Sequence, residues 1–552
     1  MKSEHHETGA RIKEWGGKLP VLLVYPDTYR AGMSNLAVHA LYRLLNSIDT
    51  VVCERCFWRK GQKHPVSLES RRQVSDFTVI AFSVSFESDF INVVDFLAAS
   101  GIEVFASKRT HGVLVIAGGI AVTLNPEPIA DFMDACVIGE AEGVTERIME
   151  TIHAGIDAGA GRPQILAQLD HLDGVYVPSL YRVTYAPDGS IERIEHRSSP
   201  GKKVKRHTVR QLVRGASTTV YTSDTAFSGM HLQEVSRGCG YRCRFCISGY
   251  AYLPPRTVDL DALKNDLSDL PASVTRVGVV SPMVTDYPDL HGLLEFIHAC
   301  GLKASLSSLR ADKLSYSDLN AVDISTDQFS VAIAPEAGTQ RLRRVLNKDV
   351  TDEQILGAAD FLGRRRVNTL KLYFLIGLPQ ETDEDIAAIA RLAVQVRHRL
   401  RAGKGRVIVS INPLIPKPFT PFQWLPLIRP EEVKAKLGII RTALKSSGIT
   451  IEWEKHYLLQ AVLSRGDRRL SGLLLHLAAS QKSIRLGLGD SGTDLEYYAW
   501  RQRPKDEVLP WDFIHYGFKK DFLLHEYDLG LKGIITPVCS PDTCRLCGIC
   551  AP

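Results

Sequence analysis

The chemistry open to this chain is set first by three cysteines. Cys239, Cys243 and Cys246 are spaced C-x3-C-x2-C in a loop just after the apolar run 232–235. Three thiolates on a cubane of four irons leave one iron without a protein ligand. An open position of that kind separates a catalytic metal centre from a closed structural one. Gly238 and Gly240 lack side chains, so the backbone can wrap closely around a cluster. The alternative is a zinc site. It lacks a nearby fourth ligand, because the nearest histidine, His231, lies on the wrong side of the preceding strand.

A second group follows at Cys539, Cys544, Cys547 and Cys550, where Gly548 permits tight wrapping. Its C-x2-C-x2-C run with a nearby proline resembles a ferredoxin loop and so a second iron–sulfur cluster; a closed four-thiolate zinc knot is the other reading. Seven of the eleven cysteines fall into these two groups. A disulfide framework would spread them, and clustered cysteines in a large chain favour metal. Cys53 and Cys56 sit within or beside a strand with no second pair nearby, and Cys136 and Cys300 lie in apolar contexts. All four read as structural core cysteines.

Two α/β rhythms must position these groups. Apolar runs at 21–25, 51–56, 79–85, 113–117 and 135–138 alternate with amphipathic segments such as 34–45 and 90–100. The alternation predicts a doubly wound parallel sheet of the flavodoxin-like type over 18–155, with ligands at the carboxyl ends of its strands. Residues 156–228 read as a connector with a β-hairpin, arms 181–185 and 191–196 about the turn Ala186-Pro187-Asp188-Gly189. From 229 to 450 the rhythm resumes, with strands expected at 232–235, 276–280, 303–307, 328–334, 369–376 and 407–411. Six strand–helix units are too few to close an eight-stranded barrel and predict a partial (β/α)6 barrel with an open side. Residues 451–552 form a C-terminal region carrying the four-cysteine motif.

The 552 residues are 45% hydrophobic and 23% charged, enough for several cores in a soluble protein. No apolar run approaches the roughly 18 residues of a spanning helix, so no membrane insertion is expected. The polar N-terminus has no apolar h-region, and a cytoplasmic location is expected. The net charge is +5, with basic runs at 202–206, 364–366 and 397–406. Aromatic residues are not interleaved with these runs in a way that suggests base stacking.

The cysteine triplet, with Phe245 before its third member, resembles the signature of the radical S-adenosylmethionine superfamily. The resemblance implies that the open iron of a [4Fe–4S] cluster binds S-adenosylmethionine. One electron then cleaves it to methionine and a 5′-deoxyadenosyl radical, a reductant such as flavodoxin or ferredoxin supplying the electron. It further implies that Phe245, Arg310, Glu336 and Gly377 bind the cofactor. Arg310, after Ser307-Ser308-Leu309, would take the ligand carboxylate in bidentate fashion. Glu336 would contact the ribose or amino group, and Gly377 the adenine. The family's Gly-Gly-Glu after the second strand is here Val279-Val280-Ser281-Pro282.

The loop from Asp27 through Tyr29 to Gly32 resembles the Asp-x-His-x-x-Gly loop of cobalamin-binding domains, with Ser85 ending the third strand and Gly118-Gly119 after the fourth. Tyr29 replaces the axial histidine, and a phenol with a pKa of about 10 is a poor cobalt ligand. The implication is a cobalt without a protein nitrogen below it, or else a domain that has lost cobalamin and only shapes the substrate pocket. The whole chain resembles the cobalamin-binding-domain-containing radical S-adenosylmethionine proteins, sharing Gly32-Met33-Ser34-Asn35, Asn125-Pro126-Glu127-Pro128, the run 335–349 and Lys417-Pro418-Phe419-Thr420-Pro421-Phe422. The leading expectation is a cobalamin-dependent methyltransferase acting on an unactivated carbon of a small-molecule or RNA substrate. The alternatives are an RNA-modifying enzyme similar to the methylthiotransferases, and a non-catalytic cobalamin or redox sensor.

Overall fold

Strands of almost unbroken apolar sequence build the first sheet, because both of its faces are covered. The structure, a computed structural model, describes residues 6–109, 112–306, 309–313, 330–365, 367–400, 405–480, 484–488 and 494–550. Ser307, Ser308, residues 328–329 of an expected strand, and positions 366 and 401–404 of the basic runs lie outside the described residues.

In chain order the first unit comprises β1 (Leu19–Tyr25), α1 (Leu36–Ser47), β2 (Val51–Phe57), β3 (Val79–Ser83), α2 (Phe90–Ala99), β4 (Leu114–Gly118), β5 (Ala135–Val137), α3 (Val144–Asp157), α4 (Arg162–Leu169) and β6 (Val175–Tyr176). The strands lie in the order β2-β1-β3-β4-β5-β6, all parallel except β6, which runs antiparallel to β5. The sheet therefore draws in residues 175–176, beyond the stretch that sequence periodicity assigns to it. Asn35 caps α1 by accepting from the Ala37 N–H, which satisfies one of the orphan donors of the first turn. The hairpin forms as expected from its turn residues, β7 (Tyr181–Tyr185) pairing with β8 (Ile191–His196).

The second unit carries β9 (Met230–Glu234), β10 (Arg276–Val280), α5 (Leu290–Ala299) and β11 (Lys303–Leu306), the strands forming a parallel sheet in the order β9-β10-β11. A four-stranded parallel sheet follows, built from β12 (Ser330–Glu336), α6 (Asp352–Arg364), β13 (Thr369–Ile376), α7 (Asp383–Leu400), β14 (Arg406–Pro413), α8 (Pro430–Leu444) and β15 (Thr450–Trp453). All six strands expected here are present, and β15 adds a seventh.

Burial along these strands differs from the first sheet. On β13, Leu370, Leu372, Phe374 and Ile376 are buried while Thr369, Lys371, Tyr373 and Leu375 are half-buried. Strict alternation in a parallel strand means that helices cover one face and leave the other partly open. Ala332 and Ala334 of β12 are half-buried in step with that open face, and past an irregularity in the register Glu336 pairs opposite Phe374. Further on, α9 (Lys520–Leu531) leads to the segment bearing the second cysteine group. Among the described residues no helix is long and apolar enough to cross a membrane.

Candidate functional site

The triplet loop leaves β9 and doubles back tightly. Gly238 adopts φ +82°, and a Cβ there would stand 2.4 Å from the Tyr252 carbonyl oxygen, so this position requires glycine. The loop is closed by its own backbone, the Cys239 N–H donating to Ser248 O (3.0 Å) and the Cys246 N–H to Cys243 O (2.9 Å). Burial pushes the Cys239 thiol up to about 11 and the Cys243 thiol up to about 12. The neighbouring thiols act in the same sense, while Arg310 acts against it at both cysteines and Lys348 at Cys243. Three thiols that share one loop, with two cations facing them, are a donor set for an anionic metal centre, which strips coordinating thiols of their protons. Among the described residues no three His, Cys, Asp or Glu side chains converge closely enough to hold a single metal ion.

Of the residues expected around this loop, Arg310 contacts it directly, Glu336 is joined to Lys348, which acts on Cys243, and Gly377 lies at the end of another strand. Arg310 lies over the Tyr241 ring, 3.7 Å from its centroid, and forks onto Asp312 at 2.8 and 2.9 Å. Glu336, at the end of β12, pairs with Lys348 at 3.0 Å and holds φ +68°, a conformation unusual for a residue with a Cβ. Gly377 follows β13, its N–H donating to Glu381 Oε2 at 2.8 Å, and Glu381 pairs with Lys436 at 3.0 Å. Phe245 is half-buried and packs on the core.

The run 335–349 acts as a cradle. The Arg244 N–H donates to Leu346 O (3.0 Å), its guanidinium donates to Arg344 O and Val345 O, and Asn347 Nδ2 donates to Tyr241 O (2.9 Å). Sequence reasoning missed Lys348, Asp312 and Tyr241. It also missed the Lys371–Glu452 pair (2.7 Å) with Tyr373 beneath Lys371 on the open sheet face.

The second cysteine group sits against the same loop. The Cys539 N–H donates to Gly240 O at 2.8 Å. Arg244 Nη2 donates to Ile534 O (2.7 Å), and the Thr536 N–H donates to Asn347 Oδ1 (2.8 Å). Burial pushes the Cys539 thiol up to about 12, with Cys544, Cys550 and Cys547 adding to the rise and Arg242 opposing it. A cavity of about 490 Å³ lies between α9 and this group, lined among others by Phe522, His525, Glu526, Arg545 and Cys547. Cys53, Cys56 and Cys136 are buried as expected, but Cys300 is exposed. It caps the C-terminus of α5 on the solvent side, which an apolar sequence context does not reveal.

At the strand ends of the first sheet, Asp27 accepts from the Thr28 N–H. Tyr29 is turned inward: it is buried, its hydroxyl donates to Glu7 Oε1 at 2.6 Å, and burial raises its pKa. Its phenol is thus committed inside the domain rather than presented as a ligand. Gly32 lies where a Cβ would meet the Phe57 ring at 2.3 Å. Ser85 Oγ accepts from Asn35 Nδ2 at 2.9 Å. Gly118 abuts Val137, and Gly119, at φ +103°, packs against the Val84 carbonyl. Asp89 is buried beside them, and desolvation, with Asp27 and Glu87 adding, pushes its carboxyl up to about 7.

This edge is bracketed to the second unit. Glu87 binds Lys417 and accepts from Gln460 Nε2 (3.1 Å); Glu127 takes Arg468 at 2.9 and 3.0 Å; Asn125 Nδ2 donates to Gly466 O at 2.8 Å. Arg256 joins Glu140 at 2.6 Å, and Arg237 joins Glu142 at 2.9 Å.

Two family models match the chain: "Radical SAM proteins, N-terminal" over residues 37–178 and "Radical SAM superfamily" over residues 234–393. The uncharacterized protein MJ0966 of Methanocaldococcus jannaschii is 31% identical over 465 residues, which is 82% of this chain and 90% of that protein. Among solved structures, the cobalamin-dependent S-adenosylmethionine radical enzyme OxsB is 14% identical, with a TM-score of 0.43 over 67% of this chain and 52% of that one. Coproporphyrinogen III oxidase (HemN) from Escherichia coli is 16% identical, with a TM-score of 0.31 over 40% of this chain and 54% of that one. The chain thus spans about half the length of each of these two solved proteins.

Proposed function

The chain belongs to the radical S-adenosylmethionine superfamily, and from that premise we propose that it is a cobalamin-dependent methyltransferase whose reaction starts at Cys239, Cys243 and Cys246. The observation that carries the reading is the triplet itself: three thiols on one closed loop that follows a parallel strand, with Arg310 and Lys348 acting on them. These thiols would hold a [4Fe–4S] cluster, which when bound supplies the electron that cleaves S-adenosylmethionine to methionine and a 5′-deoxyadenosyl radical.

The chain's own residues do the rest by binding and orientation. Arg310 offers a planar fork suited to the ligand carboxylate, and it is held ready by Asp312 and the Tyr241 ring. Glu336, held by Lys348, is a partner for the amino group or ribose, and the Gly377 segment for the adenine. The open face with Lys371 and Tyr373 is where a substrate would lie.

Cobalamin is assigned to the strand ends of the first sheet, which has the flavodoxin-like strand order, near Asp27, Gly32, Ser85, Gly118 and Gly119. Phe86, 56% exposed beside Ser85, gives that edge an apolar face. With Tyr29 committed to Glu7, its phenol would not be offered to the cofactor as a ligand.

The test is anaerobic reconstitution with iron and sulfide, then reduction in the presence of S-adenosylmethionine. Wild type is expected to release 5′-deoxyadenosine and Cys243→Ala to release none; equal yields from both would sink the reading. Cobalamin in the absorption spectrum supports methyl transfer. Its absence after reconstitution, with RNA co-purifying, favours RNA modification instead.

A further inference from the structure

Arg242 is fully buried, yet its Nε and Nη1 have no hydrogen-bond partner. Its Nη2 donates to Pro537 O at 2.7 Å, and the Phe522 ring lies 5.8 Å from the guanidinium carbon. Arg244, two residues on and equally buried, differs: it pairs with Glu526 and donates to Arg344 O, Val345 O, Ile534 O and Thr536 Oγ1. Among the described residues no carboxylate forms an ion pair with Arg242. A guanidinium does not shed its charge on burial, so a buried one with two idle donors is costly unless an anion faces it.

Cys539, Cys544, Cys547 and Cys550 lie within electrostatic reach of one another, and Arg242 within reach of Cys539. Neutral thiols would leave the guanidinium uncompensated. Four thiolates around an iron–sulfur core carry a net negative charge, and sulfur atoms accept the hydrogen bonds that Nε and Nη1 lack.

The same group is joined to the triplet. Gly240 directly follows Cys239, and its carbonyl accepts the Cys539 N–H at 2.8 Å. A Cβ on Gly240 would come within 3.1 Å of Cys539 O, so the close approach of the two segments depends on glycine. One residue, Gly240, and one hydrogen bond therefore link Cys239 to Cys539. Cys539 and Cys547 are buried, but Cys544 and Cys550 are half-buried and the neighbouring Val538 and Leu546 are 54% and 60% exposed, so an electron carrier can approach the group from that side.

We propose that Cys539, Cys544, Cys547 and Cys550 bind a redox-active iron–sulfur cluster, that Arg242 balances its charge, and that it relays single electrons to the cluster at Cys239, Cys243 and Cys246. The relay rests on the reading of the triplet as a cluster site. In each transfer a low-potential carrier such as reduced ferredoxin is oxidised by one electron and the tail cluster is reduced. The tail cluster is reoxidised as the triplet cluster takes the electron; no bond forms and no proton moves.

Iron, sulfide and zinc analysis of the anaerobically reconstituted full chain separates the two readings. Wild type should hold about eight irons, and both the Cys239/Cys243/Cys246→Ala variant and the Cys544/Cys547→Ala variant about four. No iron in the triplet variant, with about four in the tail variant and in wild type, overturns the tail cluster and leaves the triplet reading intact. A triplet variant with as much iron as wild type overturns the triplet reading instead. Zinc in place of iron in the triplet variant overturns the redox role of the tail.

In the triplet variant, an EPR-monitored redox titration should find the tail cluster harder to reduce after Arg242→Gln and near the parent potential after Arg242→Lys. An unmoved potential after Arg242→Gln overturns the role of Arg242. Finally, reduction of the triplet cluster by reduced ferredoxin should be several-fold slower in the tail variant, and an unchanged rate overturns the relay.

Discussion

At the residue scale, Arg244 carries more of the triplet loop than any cysteine does. Its side chain is fully buried and reaches Glu526, two carbonyls of the cradle and two groups of the 534–536 segment. Removing one partner of a buried ion pair leaves the other charge uncompensated, at a cost of about 3–5 kcal/mol. Arg244→Met is therefore expected to lower the unfolding free energy of the metal-free protein by that order in urea titrations. A loss comparable to a surface substitution would refute the staple.

Asp89 gives a pH signature. Burial raises its folded pKa to about 7, above the ordinary aspartate value of about 3.9. The folded state thus binds a proton more tightly than the unfolded one. Its stabilising share is complete below about pH 4 and is lost as pH rises through about 7. Asp89→Asn is expected to flatten that slope in urea midpoints taken from pH 4 to 8. The triplet was legible because spacing alone implies a shared centre. Arg244, Asp89 and Lys348 were not, because their roles come from partners that folding brings in from distant parts of the sequence.

At the element scale, the period-two burial of β13 makes opposite demands on adjacent residues. Phe374 is fully buried on the helix-covered face, and its replacement by Ala is expected to cost about 3–5 kcal/mol. Tyr373→Ala, one position away on the open face, is expected to change stability by about 1 kcal/mol or less. It should instead weaken substrate turnover at unchanged fold. Equal stability losses at both sites, by chemical denaturation, would mean that the face is not open. The strands of both units were readable from their apolar runs, some of them to within a residue or two. β15 was not: Thr450-Ile-Glu-Trp453 is short, sits at the sheet edge and carries a charged residue, so it has no apolar run to detect. Residues 175–176 were likewise unreadable, since two residues set no periodicity.

At the scale of the whole molecule, the brackets between units explain motifs that carried family resemblance but no chemistry. Asn125 and Glu127 reach residues 464–468, and Lys417 reaches Glu87, across sequence separations of 330 to 341. No local pattern announces a partner so remote. Glu127 is completely buried and also accepts from the Tyr176 hydroxyl at 2.5 Å. Glu127→Ala removes the carboxylate that Arg468 and that hydroxyl share; wild type is expected to unfold in one calorimetric transition and the variant in two, as the units lose their coupling. A single transition at the wild-type temperature would show that the bracket is dispensable.

The bond between Cys539 and Gly240 also sets an order of events during synthesis. The partners are separated by 299 positions, counting from 240 to 539. At about 5–20 residues per second, translation from one to the other takes roughly 15–60 seconds. Throughout that time the triplet loop has at most its own backbone bonds and the cradle at 344–347 to hold it, because residues 534–539, which pin Arg242, Arg244 and Gly240, do not yet exist. Metal delivered before residues 534–539 are made would meet a site that still lacks these bonds.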